Sequence, residues 1–248
     1  MANNWSREEH ILAFNLYCKV PFSKINASYP PVKVLASILG RTNGSVAMKL
    51  ANFARLDPAL KAKNISGLTR GAKGEEDVWK EFNDNWDELS FLSENILSKY
   101  ENADNIEDEL NIPEGRDRIA LAKTRVNQDF FRDTVQASYN NTCCITGSRE
   151  IGLLIACHII PWADSKAHRT NPRNGLLMNV LHHKAFDLGL FTITPDYNIC
   201  VSSSVLNSQD SLLKGLVATY HGKEIILPHK FLPSRECLSF HNEHIFTE

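Results

Sequence analysis

Apolar positions in the first fifth of the chain recur at helical spacing. Ile11, Leu12, Leu16 and Val20 share one face of a predicted helix that opens with Ser6 as its cap and Glu8 and Glu9 in its first turn. Pro21, Pro30 and Pro31 interrupt the pattern. Beyond them, "VKVLASILGRTNGSVAMKLANFARLDP" reads as a short helix, a turn over Gly40 to Gly44 and a second helix from about Ser45, which makes a helix-turn-helix candidate. From Glu75 to Tyr100, Val78, Phe82, Leu89, Leu92 and Ile96 keep roughly helical spacing between acidic residues, so an acidic amphipathic helix, or two, is predicted.

The polar stretch "ENADNIEDELNIPEGRD" reads as a linker and puts a domain boundary near residue 115. A further helix follows, with Ile119, Val126, Phe130 and Val135 on one side. In "NTCCITGSREIGLLIACHIIPW" two short apolar runs flank Thr146-Gly147-Ser148, which predicts a hairpin with His158 at the end of its second strand. A long loop comes next, and "NGLLMNVLHHKAFDLGL" has helical spacing through Leu177, Leu181 and Ala185 up to a stop at Gly189. "GLFTITPDYNICVSSS" alternates across a turn at Pro195-Asp196 and predicts one more hairpin, whereas His241 and His244 are expected in a surface tail. The expected fold class is α+β, with a helical, helix-turn-helix-like domain over 1–115 and a second domain over 116–248.

Composition sharpens this picture. At 248 residues and 43% hydrophobic content the chain can bury one large core or two small ones. It has no apolar run of eighteen residues, and its start lacks the layout of a secretory signal, so a cytoplasmic protein with no membrane partner is expected. Six cysteines without a CxxC pair or a repeated spacing give neither a zinc knuckle nor a disulfide framework and are expected to be reduced and largely buried. The formal charge of −2 conceals a basic head, +8 over residues 1–74, and an acidic middle, −12 over residues 75–115. Such a head suits a phosphate backbone, because each neutralised phosphate releases counterions. Arg41, Ser45, Lys49 and Arg55, in or beside the second helix of the turn motif, are the candidate contacts to double-stranded DNA. The opening "WSREEHILAFNLY" also resembles the start of a Myb or SANT-like three-helix unit.

The chemistry-bearing residues cluster in "IACHIIPWADSKAHRTNPRNGLLMNVLHHKAFDLG". HxxP from His158, then Asn174-Gly-Leu-Leu, then His183-Lys-Ala-Phe-Asp187 strongly resemble the HNH nuclease family, over about residues 139–204. The flanking "CITG" and "DLGLFTI" resemble its restriction and defence subgroup. The resemblance implies a ββα-metal module with His158 as general base, Asn174 bracing the loop and orienting that base, and His183 as the helix histidine. A neutral imidazole, with an ordinary pKa of about 6.5, can take a proton from water near neutral pH. His183 and Asp187, four apart on a helix, share a face and can hold one divalent cation, with Mg²⁺ expected and Mn²⁺ or another transition metal compatible.

Many members of the family carry a histidine or aspartate directly before the base, where this chain has Cys157. Either Cys157 is a thiolate ligand or the ion has fewer protein ligands and more water; the second is expected. His182 leaves open which histidine faces the ion, and the family spacing favours His183. The expected activity is metal-dependent endonucleolytic hydrolysis of DNA in a restriction or defence role. The alternatives are a less selective nuclease on nicked, single-stranded or RNA substrates and a non-catalytic DNA-binding regulator. One base and one ion cut one strand, so a homodimer on its target is expected.

Overall fold

In a computed structural model, residues 4–63, 71–102 and 116–248 are described. The chain forms two compact units, Met1–Ala137 and Ser138–Glu248.

Helix α1 (Arg7–Lys19) opens the first unit with a reciprocal cap. The Ser6 hydroxyl accepts from the Glu9 N–H at 3.2 Å and the Glu9 carboxylate accepts from the Ser6 N–H at 2.6 Å. Pro30 and Pro31 stand at the first turn of α2 (Pro30–Ile38), where a missing N–H costs nothing. Gly40, at φ +60°, lets the chain reverse into α3 (Asn43–Ala54), whose cap is Thr42. A single turn, α4 (Pro58–Lys61), follows. The acidic stretch folds as two helices, α5 (Lys73–Phe82) and α6 (Trp86–Asn102). Their apolar faces meet α1 and α3 in an aromatic core, where the Phe14 ring lies 4.9 Å from Phe53 and 5.2 Å from Trp79. Each such buried side chain stabilises the unit by roughly 1.5–3 kcal/mol.

The charge blocks fold onto one another. Lys49 on α3 meets Glu75 on α5 at 2.6 Å, and Arg55 meets Glu75 at 3.4 Å and Glu76 at 3.0 Å. Arg7 pairs with Glu81, and inside the head Arg41 grips Glu9 at 2.6 Å.

The boundary expected near residue 115 falls outside the described residues, and the units part at Ala137 and Ser138. The reason is α7 (Arg116–Ser138), which docks on α6: the Phe130 ring stacks on Trp86 at 6.4 Å, and Ser90 bonds Asn127.

In the second unit β1 (Leu154–His158) pairs antiparallel with β2 (Gly175–Asn179), Leu154 opposite Asn179 and His158 opposite Gly175. Helix α8 (Val180–Asp187) follows directly, capped by Asn179. Two expectations are corrected here. Residues 143–148 form no strand; their Cys143 N–H bonds the Ser148 carbonyl in a turn while the Cys144 N–H bonds Leu177 of β2. Residues 175–179 are strand, not the start of the helix, because Gly175 to Met178 are all buried and Asn179 spends its side chain capping what comes next. The hairpin around Pro195-Asp196 forms as expected, from β3 (Phe191–Ile193) and β4 (Ile199–Val201), with Tyr197 at φ +67°.

Short helices α9 (Ser203–Leu206) and α10 (Ser211–Leu216) lead to α11 (Arg235–His244), which packs on β3. His241 is therefore not in a surface tail. It is buried, stacked on Phe186 at 3.6 Å, with Nε2 donating to the Phe186 carbonyl and Nδ1 bonded to the Thr192 hydroxyl at 2.8 Å. All six cysteines are free thiols, and all but the half-buried Cys200 are buried. No described helix is long and apolar enough to cross a membrane.

Candidate active site

The ββα hairpin supplies every residue of the site. His158 ends β1, and its Nε2 lies 2.8 Å from the Arg169 carbonyl. Only an N–H can make that bond, so the proton sits on Nε2 and the ring's lone pair on Nδ1. Burial pushes the imidazole below its ordinary pKa, the Arg169 bond opposes this, and the nearby His183 lowers it further. His158 is thus neutral at pH 7. Trp162 meets the ring edge-on at 5.6 Å and carries the Arg169 guanidinium 4.9 Å from its centroid. The Arg169 Nε also donates to the Trp162 carbonyl at 2.8 Å, closing the loop beneath the base.

Asn174 is completely buried. Its Oδ1 accepts from the Ile160 N–H at 2.8 Å, and its Nδ2 donates to the carbonyls of Ile160 at 3.0 Å and His168 at 3.2 Å. Its own carbonyl accepts from the Ile159 N–H at 2.9 Å. One side chain therefore ties both ends of the excursion between β1 and β2. The expectation that Asn174 orients His158 is modified in one respect: the amide grips the loop, and the Arg169 carbonyl held by that loop turns the ring.

His183 and Asp187 stand one turn apart on α8, with Nε2 and Oδ2 3.4 Å from each other. The Cys157 Sγ joins them, and the three donor atoms all lie within 4.8 Å of one another. His183 is 28% exposed and Asp187 45%, while Cys157 closes the inner side. An imidazole, a carboxylate and a thiol converging from a strand and a helix fit a divalent cation, with the outer side open to water and substrate. Burial holds the Cys157 thiol well above its ordinary pKa, and the Asp187 charge adds to this.

His182, its neighbour in sequence, faces the other way. Its Nε2 donates to the Leu216 carbonyl of α10 at 2.6 Å and its Nδ1 accepts from the Asn179 amide, the cap of its own helix, at 2.8 Å, so both ring nitrogens are engaged away from the site.

The four candidate DNA contacts lie in the other unit and fare differently. Lys49 is only 6% exposed and donates to Glu75 at 2.6 Å, so its ammonium is turned inward. Arg41 is held by both Glu9 oxygens, at 2.6 and 2.8 Å, and Arg55 by Glu75 and Glu76. Ser45 keeps a half-exposed hydroxyl in the first turn of α3.

The Arg169 carbonyl that holds the His158 ring escaped sequence reasoning because it is a main-chain atom, and side-chain identity carries no signal for it. Compared with family models, residues 143–194 match one described as HNH endonuclease. No curated protein matches the chain.

Proposed function

We propose that this chain, whose residues 143–194 match the HNH endonuclease family, is a nuclease that cuts double-stranded DNA with the aid of a divalent cation. The observation that carries this is the joining, on one hairpin and one helix, of a neutral His158 with the Cys157, His183 and Asp187 donors. His158 Nδ1 takes a proton from water, the oxygen attacks phosphorus, the bond to the 3′ oxygen breaks and that oxygen takes a proton from solvent, leaving a 5′ phosphate and a 3′ hydroxyl. His183 and Asp187, with Cys157 behind them, are the residues that would hold the cation, Mg²⁺ or a transition metal. When bound, it neutralises charge that gathers on the non-bridging and leaving oxygens. Asn174 keeps the Arg169 carbonyl in place, so Nε2 stays protonated and Nδ1 stays the basic atom.

A restriction or defence role, in which the helical unit selects the DNA, is the biological setting we propose. A second reading, a less selective nuclease on nicked or single-stranded substrates, is favoured by the internal pairing of Arg41, Lys49 and Arg55. Cleavage of methylated and unmethylated plasmid, with Mg²⁺, Mn²⁺ or chelator, separates the readings. Discrete fragments that require metal support the first, and nicking or smearing supports the second. Intact plasmid under every condition overturns both.

A further inference from the structure

The first unit contains a concavity of about 950 Å³ that the nuclease chemistry does not use. Trp5, His10 and Val78 are part of its wall, Arg41, Thr42, Ser45 and Lys49 bring in the start of α3, and Gly74, Asp77 and Glu81 line the α5 side. We propose that this pocket receives a nucleobase extruded from duplex DNA, an inference that rests on the DNA-cleaving function proposed above.

Three observations select that ligand. The first is the aromatic wall. Trp5 is half-exposed and held in place, with the Arg41 guanidinium 4.5 Å and the Lys49 ammonium 4.9 Å from its ring centroid and His10 5.8 Å away. Arg41 also donates to the Asn4 carbonyl at 3.0 Å, which fixes the backbone that carries the indole. A rigid aromatic face of this kind stacks on any base.

The second is charge. Each cation lining the pocket already has a carboxylate: Arg7 has Glu81, Arg41 has Glu9 and Lys49 has Glu75. A free anion gains little there. A neutral planar heterocycle does better, since Ser45 and the carboxylates of Asp77 and Glu81 offer acceptors for ring N–H and exocyclic amino groups.

The third is room. His10 lies against Gly74, where an added Cβ would fall 2.8 Å from its Cε1, so the glycine lets the ring sink into the wall and leaves the space in front clear. The volume accommodates a base with its sugar.

Extrusion is easiest where pairing is already broken, so occupancy should depend on duplex defects. The test uses the full chain in chelator, which prevents cutting. Affinity is measured for a matched duplex, for the same duplex with one central mismatch, and for free nucleosides, and 2-aminopurine fluorescence at the mismatch reports unstacking. The expected result is tighter binding of the mismatched duplex by about tenfold, with a rise in fluorescence. Trp5→Ala should remove roughly a tenfold share of that affinity and the fluorescence rise, and Trp5→Phe should keep most of both. Should Trp5→Ala unfold the unit, Asp77→Ala, on the exposed side of α5, gives the same reading with the fold intact, through loss of the preference for the mismatch.

Equal affinity for both duplexes, or a preference unchanged in the Trp5 and Asp77 variants, overturns the proposal. So does saturable binding of free nucleosides without a Trp5-dependent effect on duplex DNA, which would assign the pocket to a small molecule. Plasmid cleavage by the wild-type chain in the same preparation, with metal restored, shows separately whether the nuclease reading stands.

Discussion

His158 donates its Nε2–H to the Arg169 carbonyl, so a proton taken from water goes to Nδ1 and produces a cation supported by one carbonyl and opposed by His183. In the proposed mechanism, removing this ring removes the base and leaves the DNA-binding groups in place. His158→Ala should lower single-turnover cleavage by ~10²–10⁴-fold with affinity for the same duplex within about twofold of wild type. More than about a hundredth of wild-type cleavage remaining would mean that another group takes the proton. His241 shows what the same side chain does when it only packs. Burial between α11, which carries it, and Phe186 drives its pKa from 6.5 to about 4, the Phe186 carbonyl opposing. The native state therefore refuses a proton that the unfolded chain accepts, and the stabilisation is complete above pH 6.5 and lost as pH falls from 6.5 towards 4. The loss is at most on the order of 3 kcal/mol. Urea midpoints measured at pH 7 and pH 4.5 should fall less in His241→Gln than in wild type; parallel decreases would show that this imidazole titrates normally.

At the scale of elements, ion pairs decide what α3 can do. Its three basic neighbours, read from sequence as phosphate contacts, are bound to carboxylates of α1 and α5. Their spacing along α3 was visible, but their carboxylate partners lie 20 to 32 residues away on other helices, and no local pattern announces such pairing. Lys49→Ala leaves the buried Glu75 carboxylate without its main partner and should destabilise the first unit by about 3 kcal/mol, seen as a lower melting temperature. Lys49→Ala with Glu75→Gln should recover part of that loss. If instead Lys49→Ala melts like wild type and flattens the salt dependence of DNA binding, its ammonium does reach phosphate. The ββα hairpin was legible in another way. Its candidate site residues rest on the resemblance of their motifs to the HNH family, while strand β2 reads as helix in the sequence because Leu177, Leu181 and Ala185 fit a helical period and burial on both faces erases the alternation of a strand. Cys157 was expected to stay out of the metal site, since its closeness to His183 and Asp187 comes from the pairing of β1 beside α8 and not from local sequence.

For the whole molecule, the two cores explain why 248 residues with 43% hydrophobic content fold as separate units. The first gathers the tryptophans Trp79 and Trp86 with Phe14 and Phe53, and the second gathers Phe186, Phe191 and the strand residues around the hairpin. Nothing in the second unit duplicates the His158 site: among the described residues, the Cys157, His183 and Asp187 group is the single one of its kind. A site with one base and one group of metal donors breaks one strand per binding event. Cutting both strands from a single chain would require release and rebinding in the opposite orientation, so nicked circles would accumulate before linear product. Two copies related by a two-fold axis place one site on each strand and match a palindromic or near-palindromic target. A homodimer on DNA is therefore expected. Light scattering of the chain bound to a cleavable duplex in chelator should give two chains per duplex, and plasmid linearisation should rise with the square of enzyme concentration when the enzyme is dilute. One chain per duplex together with a nicked intermediate that precedes linear product would show that the enzyme works as a monomer.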